Sequence, residues 1–180
     1  LARTEERARM NGVPLALTDL GGAIDRTGAV LVAISTPPST HAPLALEALS
    51  KGCHVLCEKP FTRDTAEAQA MCDAAGRAGK VNMLGNEFRY LPHRATLGRA
   101  IAEGMIGEPR MANITILLPQ LTSQQGDMPD WWFDPGEGGG WLGALGSHVI
   151  DQLRTWPGEF TSVSASLTSA DFVRATSDEI

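Results

Sequence analysis

The sequence has few cysteines, and their positions argue against a disulfide framework. Only three occur in 180 residues. Cys53 and Cys57 bracket a short apolar run and do not form a metal-binding knuckle, so we expect no metal site. Four residues apart in a strand, they would point to the same face, where small buried thiols are common. The favoured interpretation is a structural role for both in a reducing, cytoplasmic setting.

The sequence also lacks an excess of positive charge and any long apolar run. It has 15 basic against 21 acidic residues and a pI near 5.2, which gives no cationic stripe to neutralise a phosphate backbone. No apolar stretch is long enough to cross a bilayer, and the opening residues, 1–9, are typical of a charged helix and not of a targeting sequence. We therefore expect neither a nucleic-acid nor a membrane partner.

A glycine-rich phosphate loop of the form G-x-G-x-x-G is missing as well, yet the order of elements is that of a dinucleotide-binding sheet. Apolar runs at 30–34, 55–57 and 81–84 alternate with helical segments, which predicts right-handed crossovers and a parallel sheet. The simplest interpretation places the first strand and its glycine turn upstream of Leu1, in a chain truncated at both ends.

Two of the predicted helices carry local start and stop signals. Ser39 or Thr40 is expected to cap the first helix. Asp64 with Glu67 forms a capping-box-like start for the second, which is expected to end at Gly79. The second helix is predicted to be lined by Ala66, Ala70, Met71, Ala74 and Ala78.

The pattern changes in the second half of the chain. A helix over about 94–103, a long strand over 110–118, a helix beginning near Ser147 and an alternating run over 162–167 predict an α+β unit with an antiparallel sheet. The predicted fold class is α/β, with a partial Rossmann-like parallel sheet before this unit. We predict a dinucleotide-binding domain over 1–88 and a partial substrate domain over 89–180.

Chemically versatile residues follow each predicted strand, where open α/β sheets bind their ligands. The sequence Glu58-Lys59-Pro60 stands directly after the second apolar run. Far downstream, Gly138-Gly139-Gly140 precedes Gly146-Ser147-His148. Together with Thr36-Pro37-Pro38, His41, Asn86 and Arg89, these motifs resemble those of the Gfo/Idh/MocA family of oxidoreductases.

The resemblance implies a nicotinamide cofactor, NAD or NADP, and a small-molecule substrate such as a sugar or polyol. It implies that Lys59 lies beside the nicotinamide and the substrate carbinol, often with a cis peptide before the proline. It also implies a homo-oligomer. The implied cofactor-binding residues are Thr36, Pro37, Pro38, His41, Glu58, Lys59, Asn86 and Arg89.

Lys59 and His148 are the candidate catalytic residues. The ammonium of Lys59 can hydrogen-bond a substrate oxygen and balance the alkoxide that forms as hydride leaves. His148 can exchange the hydroxyl proton near neutral pH. Two roles are open for Glu58, pairing with Lys59 or orienting a cofactor amide, beside a purely structural one. Asp151 either orients His148 or, as slightly favoured, stabilises the helix amino terminus.

One position departs from the resemblance. Many of the family's dehydrogenases have an aspartate where this sequence has Ala144, and alanine cannot accept a proton. A non-catalytic dinucleotide sensor is therefore the alternative function. Arg3 gives a weak preference for NADP, because a basic residue near the second strand's end favours the 2′-phosphate. Trp131, Trp132 and Trp141 are expected to fill a core or a subunit contact, with a sugar-stacking wall as the alternative.

Overall fold

The computed structural model describes residues 2–117 and 129–167. Its sheet has three parallel strands in the order β1-β2-β3, with Ala33 opposite Leu56 and Leu56 opposite Met83. The Rossmann-like parallel sheet predicted from the alternating apolar runs is confirmed. The strands are β1 (Leu31–Ile34), β2 (His54–Cys57) and β3 (Asn82–Leu84).

Six α-helices lie among the described residues, and short turns of other helical types connect them. None of these helices is long and apolar enough to span a bilayer. The α-helices are α1 (Ala2–Met10), α2 (Leu20–Thr27), α3 (His41–Ser50), α4 (Thr65–Ala78), α5 (Pro92–Ala102) and α6 (Ser147–Thr155). The 3-10 turns are Pro38–Thr40, Glu87–Tyr90, Asp130–Phe133 and Pro135–Glu137, and Leu142–Gly146 is a π-helical turn.

The local signals of α4 work as the sequence predicts. The Asp64 side chain accepts a hydrogen bond of 2.9 Å from the backbone N–H of Glu67, and the helix ends at Gly79 with φ of 62°. The Glu67 carboxylate accepts from the N–H of Arg63 at 3.0 Å, one residue earlier than a capping box requires. The Asp64 contact satisfies one of the N–H groups that α4 itself leaves unpaired.

The prediction that the side chain of Ser39 or Thr40 caps α3 is wrong. Thr40 stands at the N-cap position, but neither it nor Ser39 supplies a capping side chain. The Thr40 hydroxyl donates to the carbonyl oxygen of Pro37 at 2.8 Å instead. The reason is the 3-10 turn Pro38–Thr40, which enters the helix directly and gives Thr40 a helical backbone, φ −102° and ψ −8°, where a cap is normally extended.

The core lies between one face of the sheet and helices α3 and α4. The predicted lining of α4 is partly wrong: Ala66, Ala70 and Ala78 are exposed, and the buried residues are Met71 and Ala75. Alanines occur all around α4, so their positions do not indicate which face is buried. The large side chain of Met71 determines the buried face. The fully or nearly fully buried core residues include Ile34, Ala45, Ala48, Leu49, Cys53, Val55, Cys57 and Met71.

The predicted antiparallel sheet is absent from the described residues. Residues 110–117 and 162–167 contain no β-pairing, and residue 118 lies outside the described part. A strand exists only through the hydrogen bonds of a ladder, and within 2–117 and 129–167 neither segment has a partner strand. The predicted strands are therefore not seen over 110–117 and 162–167.

Candidate functional site

Three separate segments meet at the carboxyl edge of the sheet. The peptide bond between Lys59 and Pro60, directly after β2, is cis. A Cβ atom added to Gly138 would lie 3.1 Å from Cβ of Pro38 and 3.8 Å from Cγ of Pro60. One added to Gly143 would lie 3.5 Å from Cβ of Pro60. The glycine-rich segment therefore packs on the loops that follow β1 and β2, and Gly138, with φ of 82°, adopts a left-handed backbone that favours glycine.

The Lys59 side chain extends from the end of β2 to the π-helical turn Leu142–Gly146. Its ammonium donates a hydrogen bond of 3.1 Å to the carbonyl oxygen of Ala144, which is 5% exposed and lies in the π-helical turn. This hydrogen bond connects the end of β2 to the turn that follows the glycine-rich segment. Ala144 contacts Lys59 through its backbone carbonyl.

Glu58 folds back on the strand end. Its Oε2 accepts from the backbone N–H of Lys59 at 3.2 Å. A Cβ atom on Gly85, just after β3, would lie 3.3 Å from Oε1 of Glu58. The carboxylate therefore lies between the ends of β2 and β3. Its contact with Lys59 is through the backbone, and its predicted contact with a cofactor stays a prediction.

His148, in the first turn of α6, is the most unusual side chain of the site. It is 1% exposed, and neither ring nitrogen has a hydrogen-bond partner among the described residues. The nearest carboxylate oxygen, Oε2 of Glu87, lies 3.9 Å from Nε2, beyond hydrogen-bond distance. Buried polar groups are almost always paired, so two unpartnered nitrogens on one buried ring mark His148 as a functional candidate.

Burial lowers the pKa of His148 below the ordinary histidine value of 6.5. The Glu87 carboxylate opposes this shift, and the positive charges of Lys59 and Arg94 add to it. The net result favours the neutral imidazole, the form that can accept a proton.

Arg89 and Asp151 form a paired contact that joins the segment after β3 to α6. The guanidinium Nε donates to Oδ2 of Asp151 at 2.8 Å, and a second nitrogen contacts Oδ1. Burial raises the pKa of Asp151, but the hydrogen bonds from Arg89 and Asn86 and the Arg89 charge outweigh this effect and lower it overall. Arg89 is thus the side-chain partner of Asp151, a contact that neither sequence interpretation of Asp151 contained.

His41 braces the loops that follow β1 and β2. Its Nε2 lies 2.7 Å from the carbonyl oxygen of Thr36, and its Nδ1 lies 3.0 Å from that of Pro60 and 3.1 Å from that of Phe61. The ring is buried. These contacts hold Thr36, Pro37 and Pro38 at the sheet edge, where a cofactor contact by these residues and by His41 stays a prediction.

Trp131, Trp132 and Trp141 contact one another but are not buried, so they do not fill a core among the described residues, and a subunit contact or a sugar-stacking wall stays a prediction. The ring centroids of Trp131 and Trp132 are 5.7 Å apart, and those of Trp132 and Trp141 are 5.6 Å apart in an edge-to-face arrangement. All three rings are partly exposed. The carbonyl oxygens of residues 131 and 132 lie against Gly139, so the cluster supports the glycine-rich segment.

Sequence reasoning missed three residues around His148. Phe88 stacks on the imidazole, Arg94 lies over Phe88, and Gln152 accepts a hydrogen bond from Arg94. Gln152 follows His148 by four residues, so helical spacing alone places the two on one face of α6. The sequence around Phe88 and Arg94 contains no comparable signal.

Comparison with protein families agrees with this geometry. Residues 1–86 match the model of an oxidoreductase family with an NAD-binding Rossmann fold. Residues 95–179 match the GFO/IDH/MocA C-terminal domain.

Individual proteins are similar over most of the chain. Levoglucosan dehydrogenase of Pseudarthrobacter phenanthrenivorans is 35% identical over 166 residues, 91% of this chain and 42% of that protein. D-glucoside 3-dehydrogenase of Escherichia coli is 31% identical over 67% of this chain and 34% of its own length. A structure of levoglucosan dehydrogenase with NADH and levoglucosan superposes with a TM-score of 0.82 at 32% identity, covering 94% of this chain and 46% of the other. The chain thus spans between about a third and a half of the length of these relatives.

Proposed function

Because the chain belongs to the Gfo/Idh/MocA family of NAD-binding oxidoreductases, we propose that the protein transfers a hydride between NAD(P) and a carbinol or carbonyl carbon of a sugar, polyol or similar hydroxylated molecule. The observation that carries this proposal is His148, buried with both ring nitrogens unpartnered among the described residues, beside a site that includes Lys59.

The residues present fit the nicotinamide end of such a cofactor. The loops after β1 and β2 meet the glycine-rich segment at the sheet edge, where dinucleotides bind in this architecture. The buried Oδ1 of Asn86, just after β3, has no partner among the described residues. Thr36, Glu58 and Asn86 would hold this end, and the sequence has no G-x-G-x-x-G for the pyrophosphate. When bound, the nicotinamide accepts or returns the hydride.

In our proposal Lys59 binds the reacting oxygen. Its ammonium is anchored by one hydrogen bond to the Ala144 carbonyl, which leaves two N–H donors for a substrate hydroxyl or carbonyl. A positive charge there stabilises the alkoxide in either direction of reaction.

His148 moves the proton. During oxidation, the C–H bond of the carbinol breaks with its electron pair, and the O–H proton passes to a neutral imidazole nitrogen. During reduction, the imidazolium returns that proton to the oxygen. The lowered pKa of His148 suits it to accept the proton near neutral pH.

The substrate class rests on the relatives. The names of the two dehydrogenases described above refer to levoglucosan and to D-glucosides, both carbohydrates. The partly exposed rings of Trp131, Trp132 and Trp141 border the glycine-rich segment and offer apolar faces for the C–H groups of such a molecule. NADP in place of NAD, suggested by Arg3, and self-association of the full-length protein are parts of the same proposal.

The test uses the full-length protein and a panel of sugars and polyols with NAD⁺ and with NADP⁺, followed by nicotinamide absorbance. We expect turnover with at least one carbohydrate, and a fall in kcat of about 10²–10⁴-fold for His148→Gln, the usual contribution of a general base. His93→Gln, an exposed histidine in α5, is the matched control and should keep wild-type activity. Full activity of His148→Gln would contradict the assignment.

Ala144 is the observation that favours the alternative, a dinucleotide sensor. Its buried methyl group stands where many of the family's dehydrogenases have an acidic side chain. In that case the full-length protein would bind NAD(H) or NADP(H) and turn over no member of the panel, with Lys59→Ala leaving its behaviour unchanged.

A further inference from the structure

The imidazole of His148 is held by its flat face. Its ring and that of Phe88 are stacked, with centroids 3.9 Å apart and an angle of 11° between the planes. The guanidinium carbon of Arg94 lies 4.7 Å from the centroid of the Phe88 ring. Arg94 also donates a hydrogen bond of 2.6 Å to Oε1 of Gln152, one turn beyond His148 on α6. Contacts therefore run from His148 through Phe88 and Arg94 to Gln152, which shares helix α6 with His148.

This arrangement differs from the usual way of orienting a catalytic histidine. An imidazole base is commonly fixed by a hydrogen bond from one ring nitrogen to a carboxylate or a carbonyl. Among the described residues no such bond is made: Glu87 is 3.9 Å away, and Asp151 is bound by Arg89. Stacking restrains the ring plane and uses neither nitrogen.

We propose that Phe88 is a positioning residue for His148, holding the imidazole plane by stacking without engaging either ring nitrogen, and that Arg94 holds Phe88 in place. The inference rests on the proposed function of His148 as the proton-transferring group. It explains how a buried histidine without a hydrogen-bonded orienting group can still be preorganised for proton transfer.

The charges around His148 come from four segments. They are Lys59 after β2, Glu87 beside Phe88, Arg94 on α5 and Asp151 on α6. Phe88 contributes to the apolar surroundings of the ring. Its replacement by a smaller residue would admit water, relieve the burial that lowers the pKa of His148, and move that pKa upward.

The experiment compares Phe88→Leu and Phe88→Tyr with wild type in the full-length protein. The first readout is the NMR signal of the His148 ring protons after isotope labelling of histidine, assigned with His148→Gln. Protons above an aromatic face are shifted upfield by its ring current. We expect this upfield shift in wild type and in Phe88→Tyr, which keeps the flat ring, and its loss in Phe88→Leu.

The second readout is the pH profile of kcat and KM. For Phe88→Leu we expect kcat to fall on the order of tenfold with KM changed by less than about twofold, because a misplaced base slows the chemical step more than binding. The acid limb of the kcat profile should move to higher pH. Phe88→Tyr should stay within about twofold of wild type. Phe88→Met, which keeps apolar volume without a flat face, takes the place of Phe88→Leu if the latter does not fold.

Phe160→Leu, a change of the same kind at an exposed aromatic residue outside the site, is the matched control and should behave as wild type. The inference is overturned if Phe88→Leu keeps the wild-type kcat, acid limb and ring-proton shifts while His148→Gln is inactive, an outcome that leaves the proposed function standing. If His148→Gln is fully active, the proposed function fails instead, and with it the role assigned to Phe88.

Discussion

At the residue scale, His148 makes the stability of the fold sensitive to acid. A histidine whose folded pKa lies below 6.5 is neutral in both states above that value. As the pH falls below 6.5, the unfolded chain takes up the proton first, so stability decreases until the folded pKa is passed. We expect the free energy of unfolding to decrease less steeply below pH 6.5 in His148→Gln than in wild type. Urea unfolding at several pH values measures this difference. His93→Gln is the control. If the free energy of unfolding depended on pH in His148→Gln as it does in wild type, burial would not lower the pKa of His148.

Cysteine reactivity tests burial at the same scale. Burial, together with the neighbouring Glu58 charge, raises the pKa of Cys57 to about 12. Cys72 is an exposed thiol on α4, whereas Cys53 and Cys57 are buried. At neutral pH we expect iodoacetamide to modify Cys72 at least about tenfold faster than either buried thiol, measured by peptide mass spectrometry. Equal labelling of the three would contradict the predicted structural role of Cys53 and Cys57.

At the element scale, the start of α4 depends on one carboxylate. Asp64→Ala removes the acceptor for the Glu67 N–H and should lower the free energy of unfolding by about 1 kcal/mol. Asp64→Asn keeps an acceptor oxygen and is the matched control, with a loss below about half of that. Urea unfolding measures both. An Asp64→Ala variant as stable as wild type would show that the cap contributes nothing.

Alanine substitutions at two glycines should change the free energy of unfolding in opposite directions. A Cβ atom on Gly139 would lie 2.7 Å from the carbonyl oxygen of Trp132 and 2.8 Å from that of Asp134. Because backbone would have to move, Gly139→Ala should cost roughly 1–3 kcal/mol. Gly76, inside α4, has open space around its Cβ position, so Gly76→Ala should stabilise by up to about 1 kcal/mol. Thermal unfolding of the two variants measures this contrast.

The elements differ in how far the sequence could predict them. The parallel strands and α4 were predictable because their signals are local: short apolar runs between turns, Asp64 at one helix end and Gly79 at the other. The α4 lining was not, since alanines carry little burial preference. The strand predicted at 110–118 is not seen over the described residues 110–117, because a strand needs a partner and the described ranges supply none.

At the scale of the whole molecule, the candidate site combines segments distant in sequence. The motifs after β2 and before α6 predicted that Lys59 and His148 would act together, and the structure brings Lys59 onto the turn that precedes His148. The stack of Phe88 on His148 was beyond sequence reasoning, because nothing in either segment specifies which aromatic ring faces the imidazole.

The central claim is that the Lys59 ammonium binds the reacting oxygen. The most direct measurement is kcat of the full-length Lys59→Met variant with whichever carbohydrate the wild type turns over, beside Lys80→Met, which alters a lysine before β3 at the opposite edge of the sheet. We predict that kcat falls about 10²–10³-fold in Lys59→Met and changes less than about twofold in Lys80→Met. Turnover by Lys59→Met at the wild-type rate would contradict the account.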